Sequence, residues 1–102
     1  MIIKRHDTNV RFLFTPKIDG VPMTSTELQG CSVSFLLKGD SIALKRAATI
    51  TPTAQFQYDA TSEDVATAGT FFQEWELVDS SSKILTFPND GYYQVNIVED
   101  LG

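Results

Sequence analysis

One run, residues 68–78 (A-G-T-F-F-Q-E-W-E-L-V), constrains this chain more than any other. A glycine is followed by residues of strand composition, among them two of the seven phenylalanines and the only tryptophan. Successive side chains of a strand point to opposite faces. Phe71, Gln73, Trp75 and Leu77 therefore share one face, and Phe72, Glu74, Glu76 and Val78 share the other. The first face reads as a core wall. The second is mixed, and Phe72 beside two carboxylates is a candidate surface for meeting another protein.

Short alternating runs recur on both sides of this strand. Residues 2–6 are extended, and the turn-formers Asp7, Thr8 and Asn9 separate them from a strand at 10–15 with Val10, Phe12 and Phe14 inward. Asp19-Gly20 signals a turn. At 23–29, Thr24, Ser25 or Thr26 caps at most one helical turn, which Gly30 ends. Cys31, Val33, Phe35 and Leu37 form the inner face of the next strand, and Gly39-Asp40 turns the chain back into 42–50. Arg46 interrupts the apolar face of that strand, so a register shift is expected there. Phe56 and Tyr58 point inward in the following run. Ser62, ahead of Glu63 and Asp64, suits the cap of a second single turn. After the 70–78 strand, residues 83–87 pair back. Residues 92–98 form the last strand, with Tyr93, Val95 and Ile97 inward and Tyr92 outward.

This amounts to seven or eight short strands in 102 residues, with turn signals between them and at most one or two helical turns. The pattern predicts a single all-β domain over residues 1–102, an antiparallel β-sandwich, with a small closed barrel as the alternative. The net charge of −5 argues against a nucleic-acid partner, whose phosphates call for clustered Lys and Arg. No apolar run approaches the roughly 20 residues that span a bilayer. Met1-Ile2-Ile3 runs straight into charge, so no signal peptide is expected and synthesis in a cytoplasm is.

No pattern of residues specifies a reaction. His6 and Cys31, one of each in the chain, share no signature for nucleophilic catalysis. Asp59, Glu63 and Asp64 lack the spacing of a calcium loop and read as a solvated, capping acid group. Glu74 and Glu76 lie roughly 7 Å apart on one strand face. Paired carboxylates at that distance serve glycosidases, but those enzymes need a deep cleft. Neither a metal nor a cofactor is expected, and the chain reads as a non-enzyme.

The order of short motifs is itself informative. It runs Ile3-Lys4-Arg5-His6-Asp7-Thr8, Asp19-Gly20-Val21-Pro22, Gly30-Cys31-Ser32-Val33-Ser34-Phe35 and Phe56-Gln57-Tyr58-Asp59. It continues through Ala68-Gly69-Thr70-Phe71, Glu74-Trp75-Glu76-Leu77, Thr86-Phe87-Pro88-Asn89-Asp90-Gly91-Tyr92 and Val95-Asn96-Ile97. This succession resembles the N-terminal immunoglobulin-like domain of the baseplate upper protein family of tailed bacteriophages. Asp79-Ser80-Ser81-Ser82 departs from the Asp-Gly hairpin usual there. The resemblance implies an immunoglobulin-like sandwich that binds other virion proteins and copies of itself. Its expected location is the virion, in the tail, baseplate or neck. A head-decoration protein and a host-surface carbohydrate-binding module are the alternatives. The candidate contact residues are Phe72, Glu74, Glu76 and Tyr92, with Ile3 and Arg5 on the first strand, an expected pairing edge.

Overall fold

The structure, a computed structural model, describes residues 1–39, 43–88 and 93–99. It contains ten strands: β1 (Ile2–Lys4), β2 (Val10–Phe14), β3 (Lys17–Ile18), β4 (Val21–Pro22), β5 (Ser32–Lys38), β6 (Ala43–Ile50), β7 (Phe56–Ala60), β8 (Gly69–Val78), β9 (Ile84–Phe87) and β10 (Tyr93–Val98). No helix is present among the described residues. Eight strands form one mixed sheet in the order β1-β10-β8-β5-β6-β7-β2, with β9 also on β8, and it curls until nearly closed. β3 and β4 form a separate hairpin, its turn made by Asp19 (φ 52°) and Gly20 (φ 80°). The sheet departs from the expected all-antiparallel pattern at one place, where β1 runs parallel to β10. A parallel pair needs a long connection between its strands. Here that connection is the rest of the chain, since the first and last strands meet.

The inner face of β8 is buried as its alternation requires, with Phe71, Gln73, Trp75 and Leu77 all below a tenth exposed. One side of β8 pairs with β5, in the register Phe35↔Trp75. The other side is shared. β10 covers the first half (Tyr93↔Gln73) and β9 the second (Phe87↔Trp75). β9 and β10 thus cover two lengths of the same side of β8, and β9 ends at the cis Phe87–Pro88 bond. Trp75 donates its indole N–H to Gln73 Oε1 at 3.1 Å, so the one buried polar side chain on this face is used. Aromatic rings from facing strands meet around it. Phe12 lies 4.6 Å from Phe35, Phe14 6.1 Å from Trp75 and Phe56 5.9 Å from Trp75, centroid to centroid.

β6 carries the curl. Its first part pairs with β5 and its end with β7. The register shift expected at Arg46 does not occur. Arg46 sits opposite Phe35 in unbroken register, and its long side chain leaves the apolar face to reach Asp64. Tyr93 keeps its inward parity but remains 48% exposed, because it lies at the mouth of the sheet with its ring against Phe14.

Two turns plug the core, and both carry a reciprocal capping box. In the first, the Glu27 N–H bonds Thr24 Oγ1 and the Thr24 N–H bonds Glu27 Oε1. In the second, the Asp64 N–H bonds Thr61 Oγ1 and the Thr61 N–H bonds Asp64 Oδ2. The cap of the second turn is Thr61, one residue ahead of the expected Ser62, because only there does the acid fall three positions on. The sequences are parallel, T-S-T-E-L and T-S-E-D-V. In each, the residue after the acid enters the core, Leu28 at 3% exposure and Val65 at 0%.

Candidate protein–protein interface

The outer face of β8 presents Phe72, Glu74 and Glu76, all half-buried. Neither glutamate is a bare charge. Lys38 Nζ lies 3.3 Å from Glu74 Oε2, and Lys45 Nζ lies 3.1 Å from Glu76 Oε1. The lysines come from β5 and β6, so the two pairs form a ladder across three strands. Phe72 stands opposite Lys38 on one side and Gln94 on the other. Beyond it the face turns polar, where Asn96 Oδ1 accepts from Thr70 Oγ1 (3.3 Å) and Gln94 Nε2 (3.0 Å).

Ile3 is not part of this surface. It is 4% exposed and packs in the core, because β1 turns Ile3 inward beside Ile97 of β10. The outward residue is its neighbour Ile2, 75% exposed and opposite Asn96. Arg5 donates its backbone N–H to Val98 C=O, and its guanidinium lies 3.3 Å from Glu99, fastening β1 to the end of β10. Tyr92 lies outside the described residues. The six candidates therefore do not converge: three share the β8 outer face, Ile3 is internal and Arg5 closes the β1 end.

The expected edge at β1 is also largely occupied. Met1 C=O and Arg5 N–H bond β10, so strand alternation turns the N–H and C=O of Ile2 and Lys4 away from it. Asp7 takes both Lys4 groups, its Oδ2 accepting the Lys4 N–H and its own N–H reaching Lys4 C=O. His6, at φ 66°, makes that turn, and its N–H bonds Val65 C=O.

The open edge is β2. Thr51 N–H bonds Gln55 C=O at the β6–β7 turn. Alternation from that bond directs Gln57 toward β6, and Phe56, Tyr58 and Ala60 toward β2. Val10, Phe12 and Phe14 then bond β7. The N–H and C=O of Arg11 and Leu13 point outward and have no partner among the described residues. Leu13 is 52% exposed, and Arg11 Nε bonds Asp59 Oδ1 at 2.7 Å. That hydrogen bond, then the carboxylate charge, raises the Arg11 pKa, and the same bond lowers that of Asp59. Beside β2, where the sheet fails to close, lies a cleft of about 520 Å³ lined by Leu13, Phe14, Lys17, Phe87, Pro88 and Tyr93.

A polar cluster gathers around Asp64. The Asp64 side chain is 2% exposed, accepts the Tyr58 hydroxyl on Oδ2, and has Arg46 Nε 3.4 Å from Oδ1. Burial alone would raise the Asp64 pKa, but the Tyr58 and Thr61 hydrogen bonds and the Arg46 charge outweigh it and hold the carboxyl low. Burial and the bond to Asp64 push Tyr58 up to about 12. Asp59 and Asp64 thus serve separate partners. Among the described residues no three His, Cys, Asp or Glu side chains converge on a common point. No helix among the described residues is long and apolar enough to cross a membrane. No protein-family model and no curated protein matches the chain.

Proposed function

We propose that this chain is a non-enzymatic structural module of a tailed-phage virion. It is an immunoglobulin-like β-sandwich that binds other virion proteins, and copies of itself, in the tail, baseplate or neck. The observation that carries the reading is the character of the surface. Four ion pairs, Arg11–Asp59, Lys38–Glu74, Lys45–Glu76 and Arg46–Asp64, take up eight of its charges. Large apolar side chains are left outside, with Ile2 at 75%, Val21 at 65% and Ile84 at 62% exposure. Such a surface offers little to a small polar substrate and much to a protein that covers it.

The strand arrangement supports the sandwich. β1-β10-β8-β5-β6 makes one layer and the end of β6 with β7 and β2 the other, with the aromatic rings meeting between them. The motif order that resembles the baseplate domain supports the phage assignment.

The test is immunogold labelling of intact phage particles with antibody against the purified protein. Gold at the tail tip, baseplate or neck supports the proposal. Gold over the capsid favours head decoration instead. A glycan array that binds the protein reproducibly, with particles unlabelled, refutes the structural role.

A further inference from the structure

We propose that β2 is the strand through which a second copy of this chain docks, the two β2 edges pairing antiparallel about a two-fold axis. This deepens the assembly reading above and rests on it.

The outward groups are those of Arg11 and Leu13, two residues apart. An antiparallel hydrogen-bonded pair exchanges both N–H···O bonds between residues directly opposite. Centring the two-fold on Phe12 sets Arg11 of each copy opposite Leu13 of the other, so every free group on the edge is used, four bonds in all. The same register suits the side chains. Each guanidinium stays on its own Asp59, and Leu13 of each copy lies along the stem of the other copy's Arg11. Centring on Arg11 would set guanidinium against guanidinium. Centring on Leu13 would bring Arg11 against Thr15, whose hydroxyl already accepts from Gln55 and which precedes the strand-ending Pro16.

A five-residue edge alone buries less than the roughly 800 Å² per partner of a stable interface. Further apolar surface lies beside it. Tyr93, 48% exposed, lines the same cleft as Leu13, and the β3–β4 hairpin whose turn lines that cleft exposes Ile18 and Val21. β9 is the competing edge. Asp79 N–H bonds Lys83 C=O, which by alternation turns the Ile84 and Thr86 groups outward. β9 is the shorter of the two and ends at Pro88.

The experiment is sedimentation equilibrium of the full chain over a range of concentrations, for wild type, Leu13→Lys and Ile84→Lys. Wild type should approach twice the 11.3 kDa mass of one chain. Leu13→Lys should weaken that association at least tenfold and Ile84→Lys leave it unchanged. Both substituted side chains are exposed, and circular dichroism verifies that each variant is folded. A monomeric wild type, a dimer untouched by Leu13→Lys, or a dimer lost with Ile84→Lys overturns the proposal. A monomer that still labels particles would end the β2 pairing and leave the assembly role standing. A dimer that never labels them would do the reverse.

Discussion

Replacing Asp64 in two ways separates the parts of its cluster. Both hydrogen bonds from Tyr58 and Thr61 fall on Oδ2, while Arg46 faces Oδ1. Asp64→Asn can keep its oxygen at the Oδ2 position and accept both bonds, losing only the ion pair and setting an amide N–H toward Arg46. Arg46 is half exposed, so that loss should be about 1 kcal/mol. Asp64→Ala removes every side-chain contact and leaves the Tyr58 hydroxyl and Thr61 N–H without their acceptor. With hydrogen bonds to charged groups worth about 1.5–3 kcal/mol each, part of which water restores, the loss should be about 3 kcal/mol. In a chain of this size that lowers the melting temperature by on the order of 15 °C. Urea unfolding followed by circular dichroism measures both variants. The Asp64 pKa is depressed in the fold, so its contribution is full above the ordinary value near 4 and lost as pH falls through the folded value. Asp64→Asn should remove that acid-side component. If Asn proves as damaging as Ala, the ion pair dominates and the atom-by-atom assignment is wrong. If Ala costs under about 1 kcal/mol, the cluster is a surface feature despite its burial.

The alkaline side should be governed by Tyr58. Its pKa is raised to about 12, so its contribution is complete below the ordinary value near 10 and is lost as pH climbs toward 12. Tyr58→Phe should flatten stability across that window in a pH series of melts. Trp75→Ala should cost about 4 kcal/mol by emptying the centre of the core, whereas Phe72→Ala on the outer face should cost about 1 kcal/mol or less in urea titrations. The opposite ranking would place the β8 register one residue out. Gly39→Ala should cost about 1–3 kcal/mol, because a Cβ there would stand 2.6 Å from the buried Phe71 ring. Unchanged stability would mean that ring moves freely.

The strands legible in the sequence are those with one wet and one dry face. β2, β5 and β8 alternate cleanly, so parity alone oriented Phe12, Phe35 and Trp75. Met1-Ile2-Ile3 has no alternation, and only the meeting of β1 with β10, more than ninety residues along the chain, decides that Ile3 goes in and Ile2 stays out. The glutamates on β8 carry no local sign of their partners, since Lys38 and Lys45 stand 36 and 31 residues away. The Asp19-Gly20 turn was readable, but two residues on each side are too few to announce a strand pair. The caps are only partly legible: T-S-T-E-L offers Thr24, Ser25 and Thr26 alike, and in T-S-E-D-V Ser62 is as good a cap as Thr61 in isolation. The open β2 edge had no signal at all. It follows from where the sheet stops, and that depends on the whole chain.

The position of Trp75 has an optical consequence. It is the chain's one tryptophan, fully buried, with its N–H on Gln73 and the Phe14, Phe35 and Phe56 rings around it. An indole in such dry surroundings emits toward the blue and moves to the red when water arrives. β5, β9 and β10 all border β8, so the loosening of any one of them admits water to the same ring. The fold therefore carries a built-in gauge of its own integrity at its centre, and it can report unlabelled on any surface variant.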